Sequence, residues 1–167
     1  MKITQASISE NGTIDGLAGN QNGKELNIAN FKGKWDYIIR FKDKQLREYV
    51  ATIVKAGVNN KHIGYSQYKR NSLWRYAKKF KSLGNITINC SCDCSSLVSV
   101  VVNLAYYAKY KKWLPNYNID ANACTTQNMV SKLSITGQFE IIPFSSKDDV
   151  IIGDIVLKEK KHTGIII

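Results

Sequence analysis

Apolar positions recur along this chain with two periods, and each change of period marks a boundary between elements. After Asp43, the residues Leu46, Tyr49, Val50, Ile53 and Val54 fall three and four apart, while Lys44, Arg47, Glu48 and Lys55 occupy the other faces. That spacing predicts an amphipathic helix capped by Asp43 and stopped at Gly57 or at Asn59-Asn60. A shorter helix is predicted from residue 71 to 80, with Leu73, Trp74, Ala77 and Phe80 inward and Lys78 and Lys79 outward. From Cys94 to Tyr107 the chain is apolar almost all round, through Leu97, Val98, Val100, Val101, Val102, Leu104 and Ala105. A helix buried on most sides has this profile, and so does a β-branched strand. Asp93 and Ser95, both good capping types, decide for a helix that starts at Cys94. Thr125 or Thr126 is expected to cap a further short helix carrying Met129, Val130 and Leu133.

Shorter β-rich runs predict strands at Trp35 to Phe41, Gln138 to Ile142, Asp154 to Leu157 and His162 to Ile167. The Ser-, Asn- and Gly-rich residues 7–27 read as turns and loop, as do Gly64-Tyr65-Ser66-Gln67 and Gly84-Asn85. Residues 109–120, with Lys109-Tyr110-Lys111-Lys112-Trp113 ahead of Pro115, read as a basic, aromatic surface loop over a groove. Helices therefore come first and an antiparallel sheet follows, which is the α+β order. No internal repeat interrupts it.

Composition narrows the class. The 167 residues suit one domain large enough to bury a core, and 44% hydrophobic residues with only two Pro describe a globular chain rather than a disordered one. Lys and Arg exceed Asp and Glu by 24 to 13, a formal charge of +11, so an anionic partner is expected: nucleic acid, a membrane surface or a cell-wall polymer. Met1-Lys2-Ile3-Thr4-Gln5 leads into polar residues instead of the apolar stretch of a secretory signal. No run approaches ~20 apolar residues, so membrane insertion is not expected either. Three of the four cysteines crowd into Cys90-Ser91-Cys92-Asp93-Cys94, leaving only Cys124 elsewhere. This is neither a disulfide framework nor a usual zinc spacing, and no metal or other cofactor is expected.

The candidate chemistry lies at Cys94. A lone cysteine is most often a small buried hydrophobe, but one between Asp93 and Ser95 at a helix start has unpaired backbone N–H groups and partial positive charge around it. Such a site favours thiolate and offers Cys94's own N–H to a developing oxyanion. The chain holds two histidines. His62 precedes Gly64 in a basic loop, whereas His162 opens a predicted strand whose rigid backbone would fix its side chain, as a general base requires. Cys94 and His162 are the expected nucleophile and base.

Asp93-Cys94-Ser95-Ser96-Leu97-Val98 resembles the Asp-Cys-Ser-Gly-Leu-Val pattern of the NlpC-type cell-wall cysteine peptidases of papain-like fold. Gly153-Asp154-Ile155-Val156 followed by His162-Thr163-Gly164-Ile165 is similar to that family's Gly-Asp-Leu-Val and His-Val-Gly-Ile, and Gly64-Tyr65 corresponds loosely to its Gly-x-x-Tyr region. The amino-terminal part, from Asn11-Gly12 through Gly19-Asn20-Gln21 and Glu25 to Trp35 and Arg40, and the stretch Thr125-Thr126-Gln127-Asn128-Met129 look like phage lysins carrying this domain.

The resemblance implies a papain-like α+β fold and hydrolysis of an amide in peptidoglycan stem peptides or cross-bridges, with Cys94 attacking and His162 moving the proton. Asp93 and Ser95 would help hold the free amine end of a stem peptide, and Tyr65 would lie beside the nucleophile. It further implies a monomer, made in the host cytoplasm without a signal peptide, that meets peptidoglycan and anionic wall polymers after release. The same dyad would serve an N-acetylmuramoyl-L-alanine amidase. A reading from another class, resting on the +11 charge and the Tyr- and Lys-rich residues 106–113, is a nonenzymatic nucleic-acid binder. No recognised nucleic-acid motif accompanies it.

Two departures stand out. Ser96 replaces the family's Gly. The third polar residue, which in the family orients the histidine from the strand that follows, has no counterpart here, because the sequence ends at Ile167. A last strand ending in three isoleucines would have nothing beyond to cover it, so a catalytic domain truncated at its C-terminus, with a wall-binding module downstream, is expected.

Overall fold

A computed structural model describes residues 1–119 and 124–167. The predicted α+β, papain-like class holds: helices pack on a six-stranded antiparallel sheet. In chain order the elements are β1 (Lys2–Ala6), β2 (Leu26–Asn30), β3 (Tyr37–Phe41), α1 (Lys44–Val58), β4 (Ile63–Tyr65), α2 (Ser72–Phe80), β5 (Cys90–Cys92), α3 (Cys94–Tyr110), α4 (Met129–Ser134), β6 (Phe139–Pro143), β7 (Ile155–Lys158) and β8 (His162–Ile166). The sheet runs β2-β1-β8-β7-β3-β6, and β4 with β5 forms a separate parallel pair.

The helices follow from the sequence pattern. Asp43 accepts from the N–H groups of Gln45 and Leu46 at 2.8 and 3.2 Å, starting α1. Leu46, Val50, Ala51 and Val54 then form its buried stripe. Asp93 and Ser96 form a capping box at the start of α3, Ser96 N–H donating to Asp93 and Ser96 Oγ receiving the Asp93 N–H, both at 2.8 Å. Everything from Ser95 to Ala105 is buried, as the all-round apolar profile requires, because α1, α2 and β8 all pack on α3.

Side chains alternate across the sheet. Ile39 and Phe41 of β3, Ile155 and Leu157 of β7 and Ile165 of β8 join the main core under the helices. Ile38, Val156 and Ile166 turn to the opposite face and meet Ile3, Val150, Phe31, Trp35, Ile142 and Phe144 in a smaller core. A sheet covered on both faces explains why its strands read as continuous apolar runs.

Several sequence expectations are corrected. Helices do not precede the sheet: β1, β2 and β3, half of its strands, come before α1. β1, β2, β4 and β5 lie in stretches taken for loop or left unassigned, short segments whose polar residues hide the period of two. The α4 cap is Asn128, whose Oδ1 instead receives the Thr125 N–H at 2.7 Å. The surface loop expected from residue 109 is shorter and partly buried: residues 111–119 are loop, exposed at Lys111, Lys112, Pro115, Asn116 and Asn118. α3 continues to Tyr110, Leu114, Tyr117 and Ile119 are buried, and Tyr117 donates to Ser99 Oγ at 2.7 Å. Asp120, the last residue of that expected loop, lies outside the described residues. The strand thought to lack cover has it, because β1 pairs with β8 and sets Ile3 beside Ile166, which is fully buried. No helix among the described residues is long and apolar enough to cross a membrane.

Candidate active site

The parallel pairing of β4 with β5 delivers the chain to Cys94. Tyr65 stands opposite Cys92, and one residue on, the Asp93 cap turns the backbone into α3 so that Cys94 becomes its first residue. Cys94 is only part-buried, whereas Cys90, Cys92 and Cys124 are free, buried thiols. Burial pushes Cys90 up to about 12 and Cys92 well above the ordinary thiol range. These are inert at neutral pH.

α3 packs against β8, the strand that His162 opens. The Thr163 N–H lies close enough to the Cys94 sulfur to favour its thiolate, and Thr163 is the neighbour of His162. His162 opens β8 half-buried, with its Nε2 2.8 Å from Gln5 Oε1 on β1 and its ring 6.2 Å from that of Trp35. The Cys94 sulfur thus lies by the backbone of Thr163, while the described partners of the His162 ring are Gln5 and Trp35.

The electrostatics differ from expectation in one respect. Burial, followed by the negative charge of Asp93, raises Cys94 to about 11, and the N–H groups of Thr163 and Ser95 only partly oppose this. Burial also holds His162 below its ordinary 6.5. Desolvation outweighs the helix N-terminus, so the free site rests as neutral thiol and neutral imidazole rather than thiolate.

Asp93 and Ser95 flank Cys94 but are held from within. Arg70, 8% exposed, sets Nε 2.6 Å from Asp93 Oδ2 and donates from Nη2 to Asp93 Oδ1 at 3.2 Å. The same Nη2 donates to Ser95 Oγ and to the Cys124 carbonyl, both at 2.6 Å. Tyr65 is buried with its hydroxyl receiving Gln67 Nε2 at 3.2 Å; burial raises its pKa, and the charges of Cys94 and Asp93 add to this. His62 sits apart from this group, bonded through Nδ1 to Asn89 Oδ1 at 2.8 Å.

Sequence reasoning missed Gln5 and Arg70. Arg70 falls between the loop expected at 64–67 and the helix expected from 71, and Gln5 lies in a segment read only for its want of apolar character. The Gly153-Asp154 motif proves structural. Asp154 is fully buried, receives Arg40 through Nε and Nη2 at 2.8 and 2.7 Å, and accepts the Ile151 N–H at 2.8 Å. Gly153, at φ +89°, donates its N–H to the Ile166 carbonyl, so this corner anchors the end of β8.

Among the described residues no group of three or more His, Cys, Asp or Glu is arranged to hold a metal ion. The Tyr- and Lys-rich residues form a packed corner. Trp113 stacks on Tyr107 with ring centres 4.5 Å apart, meets Trp74 edge-on at 5.0 Å, and has Lys81 Nζ 4.3 Å from its centre.

No curated protein and no solved structure matches the chain at a significant level. A family model does match, over residues 3–167, and it spans both the β1 strand that carries Gln5 and the β8 strand that carries His162. The chain belongs to the endolysin-like domain family.

Proposed function

We propose that this domain is a peptidoglycan hydrolase of the NlpC-type cysteine peptidase kind, cutting an amide in stem peptides or cross-bridges. The observation that carries the reading is the approach of the Cys94 sulfur, at the start of α3, to the Thr163 N–H beside His162. In the reaction the imidazole accepts the thiol proton while sulfur bonds to the substrate carbonyl, whose oxygen gains charge facing the Cys94 N–H. The C–N bond then breaks as His162 returns the proton to the departing amine. Water, deprotonated by the same imidazole, cleaves the thioester and frees the thiol.

Asp93 and Ser95 line the substrate side of this site, with Tyr65 beside the sulfur. Because Arg70 already neutralises Asp93, holding a free substrate amine there requires that amine to displace a buried guanidinium. A substrate whose cleaved bond lies inside a peptide makes no such demand, which favours endopeptidase action over release of terminal residues. The +11 charge would draw the protein, as a monomer, to anionic wall polymers once it leaves the cytoplasm of the host that makes it.

Clearing of a Gram-positive cell-wall suspension tests the proposal. Wild type should clear it, and Cys94→Ala, with an unchanged circular dichroism spectrum, should not; equal clearing by both would falsify the mechanism. Mass spectrometry of the released fragments then assigns the bond. New amino termini within stem peptide or cross-bridge mark the endopeptidase, and intact stem peptides freed from muramic acid mark the amidase.

A further inference from the structure

A histidine can act as base only from the ring nitrogen that lacks a proton, and the hairpin of β1 and β2 determines which one that is. The Lys24 carbonyl can only accept a hydrogen bond. It receives Asn27 Nδ2 at 3.3 Å, and the same nitrogen lies 3.0 Å from Ser7 Oγ, so the Asn27 amide is oriented without ambiguity. Asn27 Oδ1 therefore faces away from them, toward Gln5, its direct partner in the β1–β2 register, and accepts from Gln5 Nε2 at 3.3 Å. That bond orients the Gln5 amide in turn. Its oxygen is the atom left for His162, 2.8 Å from Nε2. An amide oxygen does not donate, so Nε2 carries the proton of the neutral ring and Nδ1 keeps the lone pair.

We infer that Gln5 is the positioning residue for His162: supplied by the first strand of the chain and itself aimed by Asn27, it fixes the Nε2–H tautomer and leaves Nδ1 as the base. The inference rests on the cysteine-peptidase reading. It also answers the departure noted in the sequence. The strand beyond β8 is present in space but is β1, from the other end of the chain, so the orienting group lies 157 positions before the histidine instead of after it. Trp35 covers the ring, and Lys158, opposite His162 in the β7–β8 register, is paired with Asp36 at 2.5 Å, which leaves Gln5 as the polar partner aimed at Nε2.

The test uses the whole 167-residue chain labelled with ¹⁵N at histidine, with His162 assigned by its loss in His162→Gln. Two-bond ¹H–¹⁵N spectra above the imidazole pKa should show the Nε2–H pattern for His162 in wild type and in Cys94→Ala alike. Gln5→Leu should lose the single-tautomer pattern and slow wall clearing by about 10²- to 10⁴-fold, the range of a lost general base. Gln5→Glu, which keeps an acceptor and adds charge, should restore the pattern and move the acid limb of the rate profile upward. An Nδ1–H pattern in wild type, or a Gln5→Leu protein with the wild-type spectrum, overturns the inference. Because the spectra do not depend on turnover, they decide it even where wall clearing refutes the peptidase reading.

Discussion

Arg70 grips Asp93 through two nitrogens and two oxygens, one residue before Cys94, in surroundings that leave little of either side chain exposed. The pair joins the loop after β4 to the start of α3, and through Ser95 Oγ and the Cys124 carbonyl it also holds the chain ahead of α4. Removing the guanidinium leaves a part-buried carboxylate whose remaining partners among the described residues are the Ser96 N–H and the Ser95 hydroxyl.

Arg70→Ala is therefore expected to cost about 3–5 kcal/mol of stability, the range for stranding one partner of a buried pair. Asp93→Asn, which retains a capping oxygen, should cost less. Urea unfolding of the two single variants and the double variant measures the coupling. If the double variant is no more stable than the sum of the singles predicts, the pair is not acting as a unit.

The proposed mechanism gives a pH dependence that follows from burial of Cys94 and His162. His162 must be neutral to accept a proton, and its pKa lies below 6.5, so wall clearing should persist below pH 6.5 and fall only as pH drops through that lowered value. On the alkaline side, the native Cys94 thiol keeps its proton to about 11, whereas an unfolded thiol loses it near 9.0. Between those values the native state binds more protons, so stability declines as pH rises. Wild type should lose about 2 kcal/mol more than Cys94→Ser between pH 8 and 11, read from urea midpoints. An identical decline in both proteins would show that the thiol is not desolvated.

Much of this arrangement was legible from residue types. The helix start at Cys94, the α1 cap at Asp43 and the strands around Ile39, Val156 and Ile165 follow from local periodicity and capping chemistry, which the final packing obeys. What stayed hidden depends on contacts between distant parts of the chain. Gln5 and Arg70 gain their meaning from β1 lying against β8 and from the loop after β4 folding over α3, and neither has a local sequence signal. The thiol's raised pKa was missed for a related reason. A helix N-terminus is visible in sequence, whereas the depth at which packing buries it is not.

The Arg40–Asp154 pair should behave as scaffold. Asp154→Ala strands the Arg40 guanidinium and the Ile151 N–H together, and a loss of about 3–5 kcal/mol is expected. Since the same corner fixes the end of β8, the variant should lose wall clearing only in proportion to its unfolded fraction. A folded Asp154→Ala protein with abolished activity would instead place Asp154 in the chemistry.

Gly164 tests how the hairpin is held against β8. A methyl group built there would meet Ile3 Cδ1 at 2.6 Å and the Thr4 carbonyl oxygen at 3.0 Å, so Gly164→Ala must push β1 away from β8. The side-chain clash can be relieved and the backbone one cannot. A destabilisation of about 1–3 kcal/mol is expected, with Ile3→Val recovering part of it by removing the nearest carbon. Gly84→Ala, whose new methyl would find Ala56 Cβ at an ordinary 3.4 Å, is the control and should lie within about 0.5 kcal/mol of wild type. Because Gln5 follows Thr4 on the displaced strand, Gly164→Ala should lose wall clearing out of proportion to its stability. The His162 tautomer spectrum should change with it, and clearing that merely follows the folded fraction would separate the hairpin from the chemistry.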